Sequence, residues 1–182
     1  MVMPALSPVT TIEELLALPE DGQRHELLDG VHVVTPSPAY RHQSVVTRLM
    51  RPLLAGLEGH PHLELLTSPA DIVLGPRTLV QPDLFVVRID PEHPPVRWAD
   101  AGLPLLAIEI LSPSTAARDR GAKRRIYQAA DVAEYWIVDP DARLAERWTP
   151  SDTRPEIITD RLAWEPEPGV RIEIGLDGVF GG

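Results

Sequence analysis

Apolar and polar positions follow two periods along this chain, and each change of period marks an element. Thr11-Ile12-Glu13-Glu14 has capping-box spacing, which predicts a short helix to about Leu18. Pro19 to Gly22 ends it. Arg24 to Leu28 and Val31 to Thr35 read as strands around Asp29-Gly30, a strong hairpin signal. From Tyr40 to Leu57 the period becomes helical. Val45, Val46, Leu49, Met50, Leu53, Leu54 and Leu57 form a wide apolar stripe, which Pro52 should kink or divide.

Strand patterns return at Leu63 to Thr67, Asp71 to Leu74 and Leu79 to Val87. Within the last, Pro82 implies a strand start, an edge or a bulge. Asp90 to Pro104 is proline-rich and reads as a surface loop. Leu105 to Leu111 is apolar on both faces, as a central strand covered on both sides should be. Asp119 to Ala130 reads as a helix with Ala122, Ile126 and Ala129 inward. Strands follow at Glu134 to Val138, Arg143 to Trp148 and Val170 to Ile174. This order predicts one α/β domain over residues 1–182, with a single mixed sheet flanked by helices.

Composition narrows the function classes. The absence of cysteine excludes a disulfide framework and a thiolate metal site. Met1 to Pro8 has neither a basic region nor a long apolar run, so no signal peptide is expected, and no stretch is long enough to span a bilayer. The expected location is cytoplasmic. A net charge of −10 argues against a broad basic footprint for nucleic acid. Arg118, Arg120, Lys123, Arg124 and Arg125 could still form a local patch or a solvated helix face.

Candidate chemistry rests on carboxylates in apolar strands and on one lysine. Lys123 is the sole lysine against sixteen arginines. Glu109 lies inside the doubly covered strand, sharing a face by alternation with Leu105, Ala107 and Leu111. Its desolvation costs several kcal/mol unless a divalent cation or an arginine offsets it. Asp83 follows Gln81-Pro82 and is either a turn cap or a partner of Glu109. Two such carboxylates on adjacent strands suit Mg²⁺ or Mn²⁺, which take oxygen ligands. Lys123 shares a helix face with Asp119 and Tyr127. It either pairs with Asp119 at the surface or points at the carboxylates, to orient water and stabilise developing negative charge. Glu26 is a further ligand candidate or a surface strand residue. His42 is a site residue or an ordinary packing histidine.

Several segments are distinctive in combination. They are Glu26-Leu27-Leu28-Asp29-Gly30, His42-Gln43, Gln81-Pro82-Asp83-Leu84-Phe85-Val86-Val87 and Glu109-Ile110-Leu111-Ser112-Pro113-Ser114-Thr115. Asp119, Lys123 and Tyr127 follow, then Glu134-Tyr135-Trp136-Ile137-Val138-Asp139-Pro140. Together they closely resemble the Uma2 family, also called DUF820. The resemblance implies the restriction-endonuclease-like fold of PD-(D/E)XK nucleases and a Mg²⁺- or Mn²⁺-dependent DNA endonuclease. It implies Asp83 and Glu109 as metal-binding acids, with the Ile110 backbone carbonyl as an added ligand. Glu26 and Lys123 would complete the catalytic set, with Tyr127, Asp119 and His42 in support. Leu111 stands where the general signature has its lysine, and the family's lysine corresponds to Lys123 in the following helix. Rival readings are a catalytically inactive interaction module on this fold and a nuclease acting on RNA or nucleotides. A homodimer is expected because many nucleases of this fold bring two sites to a two-stranded substrate. Trp136, Trp148 and Trp164 serve either that interface or the core.

Overall fold

A computed structural model describes residues 8–181; the leader reading of Met1 to Pro8 lies outside them in all but Pro8. Helix α1 (Ile12–Leu16) begins at the capping box. The Thr11 side chain accepts the Glu14 N–H and the Glu14 carboxylate accepts the Thr11 N–H, but the helix ends two residues before Leu18. Strands β1 (Arg24–Leu28) and β2 (Val31–Thr35) close a two-residue hairpin. Its turn needs two positive φ angles, met by Asp29 at 52° and Gly30 at 84°.

Helix α2 (Tyr40–Leu57) runs unbroken through Pro52, contrary to the expected break. Val45, Val46, Leu49, Leu53 and Leu57 are buried on both sides of the proline, so packing holds the helix where one backbone bond is lost. Close packing also requires Gly56. A Cβ there would lie 2.6 Å from the Ile172 side chain.

The remaining strands are β3 (Leu63–Thr67), β4 (Ile72–Gly75), β5 (Thr78–Val80), β6 (Leu84–Arg88), β7 (Leu106–Ile110), β8 (Glu134–Asp139), β9 (Leu144–Trp148), β10 (Glu156–Ile158), β11 (Arg161–Glu167) and β12 (Val170–Gly175). The expected mixed central sheet flanked by helices is present, with β7-β8 parallel and its other pairs antiparallel, but it is one of three sheets rather than the only one. The three are a four-stranded sheet ordered β2-β1-β5-β4, a six-stranded sheet ordered β10-β9-β8-β7-β6-β3, and the hairpin β11-β12. Leu79 to Val87 is accordingly two strands in two sheets, with Gln81-Pro82-Asp83 as the crossing. Proline cannot donate to a ladder, so pairing stops there. Strands β10 and β11 and the last helix, α5 (Leu176–Phe180), have no counterpart in the predicted elements.

The six-stranded sheet divides the core. Leu84, Val86, Leu106, Ile108 and Ile110 face α2 and the β11-β12 hairpin. Phe85, Val87, Ala107, Leu111 and Ile137 face Ile126 and Tyr127 of the opposite helix. Leu105 precedes β7 and packs on the α2 side, so it does not share the Glu109 face. Trp136, Trp148 and Trp164 are all core residues, which removes them as an interface.

The 116–129 segment is helical in three parts: α3 (Ala116–Arg118), a π-helical turn (Asp119–Lys123) and α4 (Arg124–Ala129). The Arg124 N–H donates to the Asp119 carbonyl, the wide bonding of a π turn, and the Tyr135 hydroxyl donates to the same carbonyl at 3.1 Å. Ile126 is buried as expected, whereas Ala129 is exposed. Among the described residues, no helix is long and apolar enough to cross a membrane.

Candidate active site

Strands β6 and β7 run antiparallel, with Leu84 opposite Ile108 and Phe85 opposite Ala107. Asp83 immediately precedes β6 and Glu109 lies next to Ile108 in β7, and both side chains line one cavity. The Ile110 N–H donates to Asp83 Oδ2 at 2.8 Å and locks this end of the pair. Asp83 also accepts Arg24 Nη1 at 2.7 Å on Oδ1 and contacts His42 Nε2 at 3.0 Å on Oδ2. Burial pushes the Asp83 carboxyl up, but His42 and Arg24 outweigh it and bring its pKa down to about 2.

Glu109 is bound from the helix side. Lys123 Nζ lies 2.6 Å from Glu109 Oε1 and 2.7 Å from Glu26 Oε1, and the Tyr127 hydroxyl donates to Glu109 Oε1 at 3.2 Å. Lys123 has no exposed surface. Asp119 is buried as well, so the two do not form a surface pair. Burial acts against the Lys123 charge, but Glu109, Glu26 and Asp119 raise its pKa and keep it an ammonium. The crossing segment braces Glu26, whose Oε1 accepts the Gln81 N–H at 2.8 Å. Burial raises the proton affinity of Glu26, yet Lys123, the Gln81 N–H and Arg118 together outweigh it and leave it lowered.

These contacts form a two-level site. A cavity of about 230 Å³ is lined by Arg24, His42, Asp83, Glu109, Ile110 and Asp119, among others. Lys123, Glu26 and Tyr127 are fully buried behind Glu109 and do not line it. The lysine therefore acts on the cavity through Glu109. Most of the wider basic run makes internal contacts, whereas Arg125 is exposed. Arg118 donates to the Thr35 hydroxyl, Arg120 pairs with Asp139 and Glu146, and Arg124 lies 4.7 Å over the Trp148 ring. Neither a phosphate patch nor a purely solvated face describes it.

Residues 12–178 match the Uma2 family, described as "Putative restriction endonuclease". The chain belongs to the Uma2 family. It is also similar to a solved structure described as "a putative nuclease belonging to DUF820 from Anabaena variabilis ATCC 29413". The two share 18% identity and a TM-score of 0.77, over 93% of this chain and 97% of that one. That likeness shows the restriction-endonuclease-like fold. No curated protein matches the chain.

In this Uma2 chain the cavity offers carboxylate oxygens, the donor type a hard divalent cation takes, although Asp83 is already engaged by Arg24, His42 and the Ile110 N–H. Glu109 accepts two hydrogen bonds, leaving about half the roughly four lone-pair sites of a carboxylate. Burial and the carboxylates of Asp83, Asp119 and Glu26 push its pKa well up despite Lys123, so its negative charge is under-compensated. Burial likewise raises Asp119. Asp119 Oδ1 is a buried acceptor with no hydrogen-bond partner, although Arg118 Nε lies 3.6 Å from it as an ion pair, and its side chain lines the same cavity.

Sequence reasoning missed Arg24 as the direct partner of Asp83 and Arg118 as a flank of Glu26, 3.9 Å away. The signal for Arg24 was available. Arg24 and Glu26 are two apart in one strand and so point to one face. The Arg118 contact had no local signal, since it depends on the docking of α3 against β1 and β2.

Proposed function

We propose that the cavity is the active site of a Mg²⁺- or Mn²⁺-dependent endonuclease that hydrolyses DNA phosphodiester bonds. The observation that carries this reading is the convergence of the buried carboxylates Asp83, Glu109 and Asp119 on one cavity. The family description and the nuclease-like fold support it. Asp83, Glu109 and the Ile110 carbonyl would hold the ion. When bound, such an ion supplies Lewis acidity to a phosphoryl oxygen and lowers the pKa of water.

The chain's own residues have separate tasks. Arg24 and His42 hold Asp83 ionised and aim it along the cavity. Lys123, with Tyr127, fixes the Glu109 carboxylate from behind and supplies the compensating charge. Glu26 keeps Lys123 in place, and Asp119 offers an acceptor at the cavity wall. Lys123 is thus a positioning residue in this reading.

The protein acts as a single cytoplasmic domain and as a homodimer that brings two cavities to a duplex. Apolar surface for the interface is offered by exposed Val96, Trp98 and Leu103 in the 90–104 loop. Light scattering tests this, and a 20.1 kDa species at micromolar concentration counts against it. The deciding experiment incubates wild type and Asp83→Asn with plasmid DNA, single-stranded DNA and RNA under Mn²⁺ at low salt. Cleavage of DNA by wild type alone supports the proposal, and cleavage confined to RNA reassigns the substrate. One observation favours a second reading, an interaction module without catalysis. Arg120, Lys123 and Arg124 of the basic run are taken up by internal contacts on a chain of net charge −10. No cleavage of any substrate, with Mn²⁺ bound, would establish that reading.

A further inference from the structure

The opposite end of β6 carries a second cluster of donor groups. Among the described residues, His60, His62 and Glu167 each offer a ligand atom within 4.8 Å of the others. β6 is five residues long, so its far end lies roughly 17 Å from Asp83. The cluster is separate from the cavity.

Local structure brings these three side chains together. After α2, Gly59 takes a φ of 88° and turns the chain sharply. The His60 N–H donates to the Leu57 carbonyl, and the His60 carbonyl accepts the Leu63 N–H. The His62 carbonyl accepts the Ile89 N–H, which ties this turn to the end of β6. Glu167 comes from β11, where the pairing with β12 shifts register between Trp164 and Glu167. That irregularity brings its carboxylate to His62, with Oε1 2.8 Å from Nε2. Arg88 Nη1 donates to Oε2 at 2.7 Å and fixes the carboxylate with Oε1 toward the imidazoles. The two imidazole rings stand edge to face, their centroids 6.0 Å apart.

We propose that His60, His62 and Glu167 bind a divalent transition-metal ion of the Zn²⁺ class, which clamps the β11-β12 hairpin to the turn between α2 and β3. Two imidazoles and one carboxylate are a borderline-soft donor set that suits Zn²⁺, whereas Mg²⁺ takes oxygen ligands. Three protein ligands leave the fourth tetrahedral position to water. All three side chains are only partly buried, so the ion has a path in. Arg88 supplies the outer contact that orients a ligating carboxylate. In the metal-free protein a proton on His62 or its hydrogen bond to Glu167 holds the same geometry, and the ion displaces that proton. The role is structural, because this end of β6 has no access to the cavity described above. The inference is independent of the nuclease reading.

The test is calorimetry with Zn²⁺ on the full chain, run alongside thermal melts. Wild type and Asp83→Asn are expected to bind one ion with the same affinity at this site and to gain melting temperature. His60→Ala and His62→Ala should lose both effects while melting within about 4 °C of wild type in EDTA, since His62→Ala removes only a half-exposed hydrogen bond to Glu167. Arg88→Ala should weaken binding about 10–100-fold. Equal heats in wild type and both histidine variants, or no heat at all, overturn the proposal. X-ray absorption on the Zn²⁺-loaded wild type needs no variant. Two histidine nitrogens in the coordination shell support the site, and one or none refutes it.

Discussion

Strand β6 has an ionic cluster at each end, and the two ends balance their charge differently. At the Asp83 end, four carboxylates are buried against fixed cations, and the lone lysine is sealed beneath them. At the Arg88 end, one carboxylate meets a guanidinium and two half-exposed imidazoles. Water can screen and relax the second cluster. It cannot do so for the first, where each missing partner leaves a charge in a low-dielectric interior. Tight coupling between fold stability and chemistry is therefore expected at the cavity and not at the histidine cluster.

The largest effect should come from Lys123→Met. It nearly preserves side-chain length but leaves Glu26 and Glu109 facing each other unpaired, at a cost of about 3–5 kcal/mol. Chemical denaturation measures this, and a loss within error of zero would mean that the cavity tolerates the bare carboxylates. Lys123→Arg keeps the charge but forces a larger head into a fully buried site. A loss of about 1–3 kcal/mol is expected, together with lower cleavage.

Asp83→Asn should follow in size. It removes charge from the cavity while keeping volume, so cleavage under Mn²⁺ should fall about 10²–10³-fold and the Mn²⁺ binding heat should disappear. The corresponding His62→Ala should leave cleavage unchanged. Equal losses in both variants would erase the distinction between the two ends.

Acid titration sharpens the comparison inside the cavity itself. Asp83 is depressed from 3.8 to about 2, so its contribution is full above pH 3.8 and is lost as pH falls through about 2. At roughly 1.4 kcal/mol per unit this amounts to about 2 kcal/mol. Glu109 has the opposite sign. Its pKa is raised above 4.5, so the metal-free protein loses stability as pH rises through that elevated value. Glu109→Gln should abolish the loss on the rising side and keep the acid-side loss of Asp83. Stability measured by denaturant across pH checks both, and a Glu109→Gln profile parallel to wild type would count against the charge imbalance.

The smallest effect belongs to Arg88→Ala in the absence of metal. Its ion pair with Glu167 is half-exposed, and removing it should cost no more than about 1 kcal/mol in a thermal melt.

Local pattern determined much of this protein. The Asp29-Gly30 hairpin, the capping box at Thr11 and the bounds of β1, β2, β3 and α2 follow from turn chemistry and apolar period, which act over a few residues. The doubly apolar run around Glu109 marked a central strand, and the sole lysine marked a special position. Tertiary structure decided the rest. The division into three sheets depends on Pro82 passing the chain from one sheet to another, and a proline alone does not say where the next strand will pair. The helix survives Pro52 because residues far away in sequence bury both halves of its stripe. Arg24 reaches Asp83, and Lys123 sinks behind Glu109 instead of opening into the cavity, through the docking of a hairpin and a helix on opposite sides of one crossing. His60, His62 and Glu167 meet only because a bulge in the last hairpin swings a carboxylate across 105 positions to a turn after α2. Such contacts are set by the balance of burial and charge over the whole domain, which no short stretch of sequence contains.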